Sequence, residues 1–144
     1  MRKIETSIDI NAPAERVWAI LNDFEAFPRW NPFIPSISGK PQTGERLSVR
    51  IQPPGGRAMT FRPEVLEAGT PRLLRWLGHL GFSGIFDGEH RWQIDPLSDD
   101  RCRFLHSETF RGLLVPVFGG MLSKTEAGFR EMNEALKQRA EAEF

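Results

Sequence analysis

Residues 118–141 read FGGMLSKTEAGFREMNEALKQRAE. Phe118, Leu122, Thr125, Phe129, Met132 and Leu136 recur at intervals of four, three, four, three and four, while Lys124, Glu126, Arg130, Glu131, Glu134 and Lys137 take the other sides. That period describes a helix with one apolar stripe. Drawn from about residue 120 to 142, it is ~35 Å long at ~1.5 Å per residue. A stripe of that length needs an equally long apolar partner. The chain before it consists mainly of short β-type runs, so a curved antiparallel sheet is the expected partner.

Working back from the helix, MRKIETSIDI, with Ile4, Ile8 and Ile10, reads as a first strand. NAPAERVWAILND changes period: Asn11 offers a capping oxygen, Pro13 suits a first helical turn, and Val17, Trp18 and Leu21 share a face. FEAFPRWNPF, broken by Pro28 and Pro32, reads as a second short helix and an aromatic-rich turn. FIPSISG, ERLSVRIQ, MTFRPEVLEA, RLLRWLGHL, GEHRWQIDPL and RCRFLHSETF then read as strands, separated by KPQTG, QPPGGR, GTP, GFSG and LSDDR. No crossover helix fits between them, so the class is α+β with an antiparallel sheet.

The 144 residues suit one domain, 1–144. Nineteen basic and nineteen acidic residues leave no net charge, and no basic cluster stands out, which argues against nucleic acid as a partner. Eleven Phe and four Trp with no Tyr favour an apolar wall over a polar aromatic rim. The charged, alternating start is not a signal peptide, and no run nears the ~20 apolar residues of a membrane span. A soluble, cytoplasmic protein is expected. The single Cys102 has no internal disulfide partner and sits at an inward position. No P-loop, Cys-pair zinc spacing or nucleophile elbow is present, and no cofactor is expected.

Residues 88–112, GEHRWQIDPLSDDRCRFLHSETFRG, carry the chemistry. If the two halves pair as strands, Phe86, His90, Trp92, Ile94, Phe104, His106, Glu108 and Phe110 share the inner face. A register in which opposed numbers sum to 198 sets Asp95 against Arg103 and Asp87 against Arg111 outside. Inside, it sets His90 against Glu108, Trp92 against His106 and Ile94 against Phe104. Three roles fit the inner polar set. It can be a mutually satisfied pair that orients a ligand's hydroxyl or carbonyl, an acid–base pair, or a two-His, one-carboxylate metal set. The first is preferred, and no metal is expected. His79 has the opposite parity to Trp76 and Leu80 and should be exposed.

Trp30, Asn31 and Phe33 form either a plug under the sheet or a pocket mouth. GFSG, with Phe82 at its tip, and LLVPVFGG are candidate gates. Gly128, beside the helix stripe, leaves room for a ligand or for close packing.

The order strand, two short helices, six strands, long helix resembles the START-like (SRPBCC) superfamily, within it the polyketide cyclase/dehydrase-like branch. INAPAERVWAILNDFEAFPRWNPF, GEHRWQIDPL with RFLHSETFRGLL, and FREMNEALKQRAE carry the resemblance, from about Lys3 to Glu141. It implies a helix-grip fold: a seven-stranded antiparallel sheet around the long C-terminal helix, two short helices between the first two strands, and a cavity within. It also implies lipid, sterol, polyketide or hormone ligands, with cyclisation or dehydration in some members. The expected function is binding a small, mainly apolar molecule in that cavity. Trp30, Phe33, Trp76, Phe86, His90, Trp92, Phe104, His106, Glu108, Phe110, Phe118 and Leu122 are the candidate ligand-binding residues. The alternatives are a cyclase or dehydratase acting through His90, His106 and Glu108, and a protein-interaction module with a vestigial cavity.

Overall fold

The C-terminal helix, α2 (Gly119–Glu141), buries Leu122, Thr125, Phe129, Met132 and Leu136, and leaves Lys124 and Glu131 exposed. The 3.6-residue period therefore decided its orientation. Gly128, Asn133 and Ala140 are buried beside the stripe. In the computed structural model, which describes residues 1–69, 72–80 and 82–142, α2 packs on β1 (Arg2–Ile10) and β8 (Arg101–Arg111). Lys137 Nζ also donates to the Asp9 carbonyl at 3.1 Å.

Between β1 and the hairpins lie α1 (Ala14–Asn22) and a 3-10 helix (Phe24–Arg29) that contains Pro28. Pro13, in extended geometry, takes the capping position of α1 that was expected of Asn11. Asn11 instead ties the chain ends together: its N–H donates to Glu141 Oε2 at 2.8 Å and its Oδ1 accepts from Arg101 Nε at 3.2 Å.

The remaining strands are β2 (Ser36–Ser38), β3 (Ser48–Ile51), β4 (Met59–Phe61), β5 (Glu64–Gly69), β6 (Leu73–His79) and β7 (Asp87–Ser98). A single seven-stranded sheet is not what forms. The order β1-β8-β7-β6-β5 makes one antiparallel sheet of five strands, and β2-β3-β4 makes a second of three. The division falls inside MTFRPEVLEA, expected as one strand, at Arg62–Pro63. Proline has no N–H to give a ladder, and the run splits there into β4 and β5. The two sheets stay stitched: Leu47 N–H donates to Pro63 O (2.9 Å), Val65 N–H to Glu45 O (2.8 Å) and Gly44 N–H to Val65 O (2.8 Å). Thr70 and Pro71 of the GTP turn lie outside the described residues.

β7 and β8 pair in the expected register: Asp87 opposes Arg111, His90 opposes Glu108, Trp92 opposes His106, Ile94 opposes Phe104 and Asp95 opposes Arg103. The register shifts only between Pro96 and Ser98, at the turn. The charges that suggested it pair elsewhere. Arg103 Nε donates to Asp9 on β1 at 2.7 Å, and Asp87 holds His79 on β6 at 2.7 Å. In a central strand each outward side chain has two cross-strand neighbours, and these took the flanking one. Among the described residues, no helix is long and apolar enough to cross a membrane.

Candidate functional site

A cavity of about 100 Å³ lies on the seam between the two sheets, closed on its third side by α2. Val49, Ile51, Met59 and Phe61 of the small sheet form one wall. Trp76, Phe86, His90, Glu108 and Phe110 of the large sheet form another, with Phe33, Met121 and Thr125 completing it. Arg57, in the turn between β3 and β4, and His79 stand at the rim, and both are exposed.

Of the expected residues, Phe33, Trp76, Phe86, His90, Glu108 and Phe110 reach this cavity. Trp30, Trp92, Phe104, His106, Phe118 and Leu122 do not line it. Several of these side chains are engaged in ring contacts with other aromatics. Phe27 lies 6.1 Å from Trp92 and 5.1 Å from Trp30, Phe129 stacks on His106 at 3.9 Å, and Phe118 packs on Phe86 at 5.0 Å. The inner face meets the cavity at Trp76, His90, Glu108 and Phe110. The small-sheet wall went unread, although Leu47, Val49 and Ile51 alternate in ERLSVRIQ and mark an apolar face.

Two glycines shape the site. A Cβ on Gly128 would overlap the Phe33 ring, so the gap beside the stripe serves close packing. Asn31 Oδ1 fixes Phe33 from the other side by accepting the N–H groups of Phe33 (3.0 Å) and Ile34 (2.8 Å). A Cβ on Gly88 would overlap the Glu108 carboxylate, which lies over that bare backbone. Of the candidate gates, Gly81 in GFSG is outside the described residues. Phe82, Leu113 and Val117 are exposed, and the two segments are joined by Leu113 N–H to Gly84 O (3.1 Å) and Leu114 N–H to Ile85 O (3.0 Å).

From the half-buried Glu108 a chain of polar contacts runs into the core. Glu108 Oε1 is 3.4 Å from His90 Nδ1, and His90 Nε2 is 2.7 Å from His106 Nε2. His106 Nδ1 is 2.9 Å from Asn133 Oδ1, Asn133 Nδ2 is 2.9 Å from Thr6 Oγ1, and Thr6 Oγ1 is 2.9 Å from the His106 carbonyl. Only His90 and Glu108 of these line the cavity. Trp76 stacks on His90 at 4.7 Å and 20°, so both imidazoles are held by aromatic faces.

The proton positions follow from the inner end. A carbonyl only accepts, so Thr6 spends its one proton on the His106 carbonyl and must accept from the Asn133 amide nitrogen. Asn133 Oδ1 then accepts from His106 Nδ1–H. Burial, with His90 adding to it, pushes the His106 imidazolium well below the ordinary histidine range, although Asn133 works in the opposite direction. His106 is thus neutral with a bare Nε2, which accepts from His90 Nε2–H. His90 Nδ1 faces Glu108 Oε1 across 3.4 Å. Among the described residues, no three His, Cys, Asp or Glu side chains are grouped to hold a metal ion.

The profile of the family described as polyketide cyclase / dehydrase and lipid transport matches residues 1–141. No curated protein matches the chain by sequence. Among solved structures, a START superfamily protein from Mycobacterium smegmatis is 25% identical, covers 96% of this chain and 97% of its own, and superposes with a TM-score of 0.75. The ZhuI aromatase/cyclase from Streptomyces sp. R1128 is 15% identical, with 97% and 93% coverage and a TM-score of 0.79. A truncated norcoclaurine synthase from Thalictrum flavum is 14% identical, with 99% and 95% coverage and a TM-score of 0.76. These last two share the fold. With a profile match over nearly its full length and a long helix gripped by antiparallel sheet, the chain belongs to the polyketide cyclase / dehydrase and lipid transport family.

Proposed function

We propose that this protein binds a small, mainly apolar molecule between its two sheets, with Glu108 and His90 orienting the ligand's polar end. The observation that carries the reading is the placement of buried His90 and half-buried Glu108 on a mostly apolar wall, backed by the polar chain through His106, Asn133 and Thr6. Small-molecule sites combine these features: apolar area supplies affinity at about 25 cal/mol per Å², and few polar groups supply orientation. The volume supports a modest ligand. About 100 Å³ is nearer to the ~150 Å³ cavity that accepts benzene than to the ~300 Å³ or more of a drug-sized site. A single ring fits that volume; a sterol or long acyl chain requires the sheets to part.

Calorimetric titration with single-ring compounds tests the reading. Saturable binding is expected in the wild type and its loss in Val49→Phe, which fills the wall while retaining the circular dichroism of the fold. Absence of saturable heat from every ring compound in the wild type refutes it.

A second reading, acid–base catalysis, is favoured by one observation: an imidazole and a carboxyl group 3.4 Å apart stand together on the cavity wall. Two proteins of similar fold are named as an aromatase/cyclase and a norcoclaurine synthase. Glu108→Gln separates the readings. For a carrier it weakens binding modestly and the ligand is recovered unchanged; for an enzyme it leaves binding and abolishes turnover.

A further inference from the structure

We propose that the Glu108 end of the cavity accepts a hydrogen bond and donates none, so the site selects ligands whose polar group is itself a donor. A single-ring phenol or alcohol then binds in preference to the matching ether, aldehyde or ketone. This rests on the cavity being a ligand site.

The argument starts at the buried terminus of the polar chain. Thr6 is forced to donate to a backbone carbonyl, and this sets every proton up to His90 Nε2–H. The carboxylate oxygen that faces His90 is Oε1, so any proton the two groups share lies on that side. Glu108 Oε2 is then a bare oxygen, the carbonyl of an acid or one oxygen of a carboxylate. It has no hydrogen-bond partner among the described residues, and it lies over Gly88 on the cavity wall. Reversing the chain would give Thr6 two acceptors for one proton, so Oε2 does not become the donor. Thr125, also on the wall, has its hydroxyl proton committed to the Met121 carbonyl at 2.9 Å and can only accept from a ligand. Trp76 turns its ring face, not its N–H, toward His90. Placing an ether or carbonyl oxygen against Oε2 opposes two acceptors and leaves both unpaired, and sites built around such a contact discriminate strongly.

The test is a matched series: 4-methylphenol against 4-methylanisole, and benzyl alcohol against benzaldehyde, titrated calorimetrically into the wild type and Glu108→Leu. The phenol and the alcohol should bind about tenfold or more tightly than their partners. Glu108→Leu should bring both pairs to near equality while still binding 4-methylanisole. Equal affinities within each pair in the wild type, or tighter binding of the ether or aldehyde, overturn the inference and leave the pocket reading standing. No saturable binding by any of the four removes both. Nitrogen-15 spectra of labelled histidine supply a check independent of ligand. His106 should carry its proton on Nδ1 and His90 on Nε2, and the reversed assignment overturns the proposal.

Discussion

The Nε2 atoms of His90 and His106 face each other at 2.7 Å, and between two such nitrogens only one proton fits. His106 is the one that gives up its charge, because it is fully buried and its folded-state affinity for a proton is held well below the ordinary range. The unfolded chain has no such restraint and takes a proton near the free value of ~6.5. As pH falls below ~6.5, the unfolded state binds a proton that the folded state refuses. Stability is therefore complete above that pH and declines below it, by up to ~1.4 kcal/mol per pH unit. Urea unfolding at several pH values between 5 and 8 should show this slope, and His106→Gln should flatten it. An equal slope in both proteins would count against the assignment.

Phe129 stacks on His106 and is wholly enclosed by the sheet. Phe129→Ala should cost roughly 3–5 kcal/mol in chemical unfolding, from lost burial and the cavity left behind. A loss below ~1 kcal/mol would mean that the helix does not seal the core at this point.

Gly128→Ala separates helix propensity from packing. Alanine gains about 1 kcal/mol in a helix interior, but the added Cβ overlaps a Phe33 ring held by Asn31. Overpacking costs about 1–3 kcal/mol, so net destabilisation is expected. A stabilised Gly128→Ala protein would show that Phe33 moves freely.

Gly88→Ala should behave in the opposite way. Its Cβ meets the far end of the Glu108 side chain, which can swing aside, so stability should change by about 1 kcal/mol or less. Affinity for 4-methylphenol should fall about tenfold as the oxygen leaves its place. Unchanged affinity would remove Glu108 from ligand recognition.

Cys102 is buried, and burial, reinforced by the charge of Glu15, pushes its thiol up to about 11. Thiol labelling at pH 8 should be negligible in the folded protein and complete in denaturant. Rapid labelling of the native state would mean that this end of the strand opens to solvent.

The long helix, the hairpin order and the β7–β8 register were all legible in residue spacing, since periods of 3.6 and 2 follow directly from which side chains are apolar. Parity was enough to turn His90, His106 and Glu108 inward. It did not reveal that His90 and His106 would bond to each other, because Cα pairing placed His90 against Glu108 and Trp92 against His106, and the ring contact is diagonal. Asn133 and Thr6 were missed for a related reason. Each is a polar residue on an otherwise unremarkable face, and only tertiary packing brings them together across |i−j| of 127. The wall between cavity and core was equally hidden, since Phe27 and Phe129 arrive from elements whose docking angles no local pattern encodes.

The break at Pro63 has a consequence for how such a site can change over generations. One wall of the cavity belongs to a three-stranded sheet that takes no part in the histidine network, and Val49, Ile51, Met59 and Phe61 contribute shape alone. The other wall carries His90 and Glu108 and is bound into the core through α2 and β1. Substitutions on the first wall can therefore resize the cavity while leaving the hydrogen bonds of the second intact. Across a lineage, the dimensions of the cavity are free to drift while the polar groups that face it stay constant.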